Sequence, residues 1–140
     1  MGDARLSLER EPPQNYDVLA LDAFSSDAIP VHLLTEEAFE IYLRHLKPDG
    51  VLAVHTSNRY LALDPIVLGA AARLGLSATM IEVYADEDCV EVAPNTWVLL
   101  SADAEFIDTL TTVAGDGASA LPAPAEPWTD DYSDLIRRLR

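Results

Sequence analysis

The sequence predicts an α/β protein, with a sheet of about four strands and helices on both faces. Short apolar runs of strand length alternate with stretches of helical periodicity, and the links between them are brief and marked by Pro and Gly. The first of these runs, Val18-Leu19-Ala20-Leu21, is apolar throughout, as in a strand buried on both faces. It ends abruptly at Asp22, and a second carboxylate, Asp27, follows in the polar loop to Pro30. An acid delivered at the carboxyl end of a strand is how an open α/β sheet presents a ligand site. Two neighbouring carboxylates can hold a cationic amine and help to deprotonate it. Strand termination at Asp22 and a turn at Asp27 account for the same residues without any chemistry.

The elements follow in order. Asp3 can cap a short helix that turns Leu6 and Leu8 inward and stops before Pro12-Pro13. After the central strand and its loop, Thr35 caps a second helix, with Glu36 and Glu37 suited to its dipole. Phe39, Tyr42, Leu43 and Leu46 give that helix one apolar face. Lys47-Pro48-Asp49-Gly50 reads as a tight turn that releases a strand from Val51 to Thr56. Asp64-Pro65 opens a third helix, which Gly75 ends. A third strand spans Ala78 to Tyr84, and a fourth spans Thr96 to Leu100. Asp103 caps a last core helix expected to use Phe106, Ile107, Leu110 and Val113. This α/β unit is expected over residues 1–114, followed by a Gly/Ala/Pro linker at 115–127 and a helical tail at 128–140.

The 140 residues suffice for one domain, and 49% hydrophobic content fits a chain with a real core. Asp and Glu outnumber Lys and Arg 24 to 9, for a net charge of -15. Such a surface repels nucleic acid and anionic membrane, so neither is expected as a partner. The single cysteine, Cys89, excludes an internal disulfide framework. No signal peptide or long apolar span is evident, so a cytoplasmic protein is the default expectation.

Several motifs carry a resemblance. Gly2-Asp3-Ala4-Arg5, then Tyr16-Asp17-Val18 through Leu21-Asp22 to Asp27, then Leu46-Lys47-Pro48-Asp49-Gly50-Val51-Leu52, resemble the second half of a spermidine synthase. They look most like the spermidine-synthase-like domains fused to transporter segments, to which Pro94-Asn95-Thr96-Trp97 and Trp128 to Tyr132 are also similar. The Lys-Pro-Asp-Gly turn alone is unspecific, whereas the ordered combination is much more so. The resemblance implies a Rossmann-like sheet of the class I methyltransferase type, with one antiparallel strand. It implies transfer of an aminopropyl group from decarboxylated S-adenosylmethionine, a co-substrate rather than a tightly bound cofactor, to a diamine such as putrescine. Carried over, Asp22 matches the catalytic acid, Asp27 the acid that helps hold the diamine, and Asp3 the acid that binds the adenine amino group. A non-catalytic oligomerising or interaction module derived from this fold, and a methyltransferase relative, are the alternatives.

Two departures stand beside the resemblance. Four residues separate Asp22 from Asp27, where the family loop has two. Glycines stand only at 2, 50, 69, 75, 115 and 117, so the glycine-rich nucleotide loop after a first strand is missing. By this resemblance the first three strands are absent and Val18 to Leu21 becomes an edge strand. An apolar edge invites pairing. A homo-oligomer, or a partner supplying the missing amino-terminal half, is therefore expected.

Other polar residues carry less. His32, His45 and His55 have no metal-like spacing, and His55 near a strand end reads first as structural. Asp86, Glu87, Asp88, Cys89 and Glu91 show no regular ligand pattern and read as a solvated acidic loop; no metal site is expected. Cys89 has no evident activating base, and Ser25-Ser26 lacks a nucleophile elbow. Trp128 and Tyr132 suit either a cover over a substrate mouth or a docked amphipathic tail.

Overall fold

The computed structural model describes residues 3–22, 31–58, 60–83 and 95–134. Five strands form one mixed sheet in the order β1-β2-β4-β3-β5. These are β1 (Tyr16–Leu21), β2 (Leu46–His55), β3 (Ser77–Val83), β4 (Asn95–Ser101) and the two-residue β5 (Ala118–Ser119). The helices are α1 (Ala4–Arg10), α2 (Glu36–Arg44), α3 (Asp64–Arg73) and α4 (Ala104–Ala114). β1 and β2 run parallel, joined across the sheet by α2, while β4 is antiparallel to both β2 and β3.

Strand pairing defines two faces, because residues paired across a sheet point to the same side. Leu52 pairs with Leu100, and Val54 pairs with Val98, which in turn meets Met80. All five lie in the main core, with Phe39 and Tyr42 of α2, Ile66, Val67 and Ala70 of α3, and Trp128. The opposite face carries Ala53, Leu99 and Thr79 in register. α4 packs there, its Thr111 Oγ1 donating to Thr79 Oγ1 at 2.7 Å. The expected helices on both faces are thus present.

Local chemistry sets the element ends. Asp3 caps α1 by accepting from the backbone N–H groups of Arg5 and Leu6. The far end of α1 is held by α2: Arg44 Nη2 donates to Leu8 O and Glu9 O, and buried His45 donates from Nε2 to Leu8 O at 2.7 Å. Those carbonyls would otherwise lack partners at the helix end. Thr35 caps α2, Asp103 caps α4, and Gly75 takes a positive φ of 69° just past α3.

Several expectations are corrected. β1 is not a strand buried on both faces; it stands at the edge of the sheet, and Val18 is 61% exposed. Periodicity reports apolarity, and strand order decides what covers it. Lys47 to Gly50 is not a turn ahead of a strand but lies within β2, as a register shift between the Tyr16–Leu46 and Val18–Val51 pairs. A Cβ on Gly50 would lie 3.0 Å from both Lys47 O and Tyr16 O, so a side chain there would fit only if that backbone gave by a few tenths of an ångström. Of the four α4 residues expected inside, only Ile107 is buried, and Phe106 and Val113 are exposed. In α1, Leu8 rather than Leu6 packs against the core.

The segment expected as a linker is docked: Ala125 N donates to Pro65 O at 2.8 Å, and β5 pairs with β3. Residues 128–134 form two isolated bridges and a turn instead of a helix start, with Trp128 fully buried. Among the described residues, no helix is long and apolar enough to cross a membrane.

Candidate functional site at the carboxyl edge of the sheet

Parallel pairing places the carboxyl ends of β1 and β2 on the same edge. Leu21 pairs with Val54, so the next residues, Asp22 and His55, stand side by side on the α4 face. The structure joins them: His55 Nδ1 lies 2.8 Å from Asp22 Oδ1. A carboxylate only accepts, so Nδ1 carries the hydrogen and donates it. The imidazole is stacked on Trp97 at a centroid distance of 4.9 Å and 20° between planes, a pairing set by the His55–Trp97 register of β2 and β4. His55 is thereby a supported, largely buried group holding an exposed acid: their side chains are 20% and 62% exposed. The neighbouring backbone is fixed as well. Thr56 N donates to Thr96 O, Thr96 N donates to Ser57 Oγ, and Asn58 Oδ1 accepts from Tyr60 N and Leu61 N.

A second cluster lies at the same end of the molecule, because α2 enters β2 at the strand's start and so begins at the carboxyl edge. α1 lies alongside α2 with the same sense, its end held by Arg44 and its start near Thr35. Asp3 there serves its cap and also accepts from His32 Nε2 at 2.8 Å. The Leu6 amide bond is the main cause that holds the Asp3 carboxyl below the ordinary aspartate range, with His32 adding to it.

Arg5 Nη1 and Nη2 grip Asp130 at 2.7 and 2.6 Å, and Nη1 also reaches His32 O and Thr35 Oγ1. Thr35 Oγ1 donates to Asp130 Oδ1, and Asp130 N donates to Glu37 Oε2. The Arg5 bond lowers the Asp130 pKa and raises that of Arg5. Beside this network opens a cleft of about 560 Å³, lined by Arg5, His32, Thr35 and the turn from Thr129 to Ser133.

The sequence-derived site residues therefore divide. Asp22 is exposed at the strand end and held by His55. Asp3 belongs to the Arg5–His32–Asp130 cluster, and the bonds made by each acid keep to its own cluster among the described residues. Asp27, the Ser25-Ser26 pair and the acidic loop with Cys89 lie outside the described residues. The described residues contain no group of three or more His, Cys, Asp or Glu able to hold a metal ion. Arg5 and Trp97 stood within the motifs that carry the resemblance but were given no role, and His55 read first as structural. The signal for His55 was positional: it closes the second strand as Asp22 closes the first.

No protein-family model matches the chain, and no curated protein matches it. The fold is nevertheless met in solved structures. A probable spermidine synthase from Corynebacterium glutamicum superposes with a TM-score of 0.61 at 21% identity, over 96% of this chain and 54% of that one. MnmC2 from Aquifex aeolicus superposes with a TM-score of 0.50 at 18% identity, over 89% of this chain and 30% of that one. The chain thus spans about half the length of the first and under a third of the second. At this identity the likeness establishes the fold, a Rossmann-like sheet of the class I methyltransferase type, which is the fold the spermidine synthase resemblance implied.

Proposed function

We propose that the chain is a spermidine synthase-like protein, acting in transfer of an aminopropyl group from decarboxylated S-adenosylmethionine to a diamine such as putrescine. The observation that carries this reading is Asp22, exposed at the carboxyl end of β1 and fixed by His55. With Oδ1 occupied by the imidazole, Oδ2 remains to accept from an ammonium group. The amine must lose that proton before it can attack, and Asp22 is the acceptor. The nitrogen lone pair then forms a bond to the propyl carbon beside the sulfonium. The carbon–sulfur bond breaks toward sulfur and leaves neutral methylthioadenosine. Asp27 is assigned to the far ammonium of the diamine.

Asp3 is assigned to the adenine amino group, and its bonding fits this with one condition. Oδ1 already accepts two backbone hydrogens and Oδ2 accepts from His32, so an adenine must share a remaining lone pair or displace His32. Asp3 supplies one part of a nucleotide site and no glycine-rich loop stands in this sequence, so the reading requires that the half-site suffice or be completed by another chain.

Calorimetric titration with methylthioadenosine and decarboxylated S-adenosylmethionine tests this reading, followed by a putrescine transfer assay. Micromolar binding weakened by Asp3→Ala, and turnover abolished by Asp22→Asn, are expected. Absence of binding at millimolar ligand sinks it. Binding of S-adenosylhomocysteine but not methylthioadenosine would move the reading to a methyltransferase relative. A second reading, a non-catalytic interaction module on this fold, is favoured by one observation, the exposed outer edge of β1.

A further inference from the structure

His32 is held in place by groups that the chemistry at Asp22 does not use. Its backbone is fixed on both sides: Arg5 Nη1 donates to His32 O at 2.7 Å, and Tyr42 Oη donates to Leu33 O at 3.1 Å. Its ring is fixed by Asp3, whose Oδ2 lies 2.8 Å from Nε2. A carboxylate only accepts, so the hydrogen sits on Nε2, and Nδ1 of the neutral ring keeps its lone pair. Nδ1 makes no hydrogen bond among the described residues. The His32 side chain is 51% exposed and lines the cleft of about 560 Å³, whereas Asp3 is not part of that lining. Arg5, the one Arg or Lys in the lining, spends its fork on Asp130, Thr35 and His32 O. A phosphate therefore has no uncommitted cation there, and an uncharged ligand fits better.

We propose that His32 receives the amino group of an uncharged aminopurine nucleoside, and that Asp3 acts through it as a positioning residue. This deepens the reading above, on which it rests for the choice of nucleoside, and it uses His32 instead of displacing it. The amino N–H donates to Nδ1, while the Asp3 carboxylate keeps both its helix cap and its bond to Nε2. Val31 and Tyr132 line the cleft for the base, and Asp131 and Ser133 line it for the ribose hydroxyls.

Asp3→Asn makes the assignment testable. Asparagine caps a helix as well as aspartate, so the fold is retained. Its amide oxygen must take over from Oδ1 as acceptor for Arg5 N and Leu6 N, at 2.9 and 3.2 Å, which turns the amide NH2 toward Nε2. Nε2 then accepts, the hydrogen moves to Nδ1, and the cleft offers a donor where it had an acceptor. The favoured base changes from one with an amino group at its six-position to one with a carbonyl there.

The test is calorimetric titration of the full chain with methylthioadenosine and with methylthioinosine. The unmodified chain should favour methylthioadenosine roughly tenfold, and Asp3→Asn should reverse the order. His32→Ala, at a half-exposed side chain, should weaken methylthioadenosine by about the same factor. If His32 only competed with the ligand for Asp3, that variant would bind more tightly. Nitrogen–proton NMR of the imidazole, without ligand, should find the hydrogen on Nε2 in the unmodified chain and on Nδ1 in Asp3→Asn. The proposal is overturned by equal or tighter binding to His32→Ala, by an unchanged preference in Asp3→Asn, or by the hydrogen on Nδ1 in the unmodified chain. Turnover of putrescine beside any of these would leave aminopropyl transfer standing without the His32 assignment. His32-dependent binding without turnover would support the assignment and sink the transfer. Failure of both nucleosides to bind at millimolar concentration overturns both.

Discussion

The two faces of the sheet are built to different standards. On the α2–α3 face, Phe39, Tyr42, Leu52, Val54, Ile66, Val67, Val98, Leu100 and Trp128 are at or near complete burial in one cluster. On the α4 face, helix cover is centred on β3 and β4, and toward β1 the surface opens at Val18, Ala20 and Phe106. Asp22, His55 and Trp97 all belong by register to this second face. One face therefore holds the fold together, while the other carries the exposed acid and the unguarded edge. Close packing leaves no room for ligands, so a site has to sit where the packing stops.

The sharpest way to break this comparison is to cut into the sealed face. Trp128→Ala should destabilise the chain by about 3–5 kcal/mol, as for other large buried aromatics. It also loses the bond from Nε1 to Asp134 Oδ1 at 2.7 Å. Val18→Ala on the open face should stay within about 0.5 kcal/mol. Denaturant unfolding of both variants checks the contrast, and equal losses would erase it.

Gly69→Ala comes next. A Cβ there would lie 2.0 Å from Ala125 O, backbone that has little freedom to yield because Ala125 N is bonded to Pro65 O. The docked 120–127 segment should be pushed off α3 at a cost of about 1–3 kcal/mol, read by thermal melting and by faster exchange of the Ala125 amide.

A smaller effect is expected at the Arg5–Asp130 pair. Arg5 holds the folded-state pKa of Asp130 below the ordinary 3.8, so the pair's contribution is complete above that value. It is lost as pH falls through the lower folded value. Asp130 is 45% exposed, so solvent screening keeps the contribution under about 1 kcal/mol. Asp130→Asn should flatten the acid limb of a stability–pH profile below pH 3.8 without moving its neutral plateau by more than that amount. Asp22→Asn, at an exposed acid, should change the melting temperature least of all.

Much of this arrangement was legible in the residues. Val18 to Leu21 with Asp22 at its end, the caps at Asp3, Thr35 and Asp103, and the stop at Gly75 are each local chemistry, and each stands where the sequence puts it. The edge position of β1 was not legible from its apolar run, because order in a sheet is set by long-range pairing. It followed only from the resemblance to a spermidine synthase. The Asp22–His55 contact was hidden for the same reason: it exists because Leu21 pairs with Val54, a register no single segment reveals. The buried face of α4 was over-read, since periodicity marks which side is apolar but not how far the sheet beneath extends. The tail's helical reading gave way over 128–134 because Trp128, once seated in the core, takes the chain into bridges with Thr35 and a tight turn closed by Tyr132.

The central claim is that ligand chemistry belongs to the open face at the carboxyl edge, centred on Asp22. The most direct measurement is a nitrogen–proton NMR titration of the labelled chain with putrescine and then methylthioadenosine, including the His55 imidazole and the Trp97 indole. Saturable shifts at Asp22, His55 and Trp97, removed by Asp22→Asn while the Trp128 indole stays still, are the predicted result. No shift at millimolar ligand, or shifts unchanged by Asp22→Asn, would contradict it.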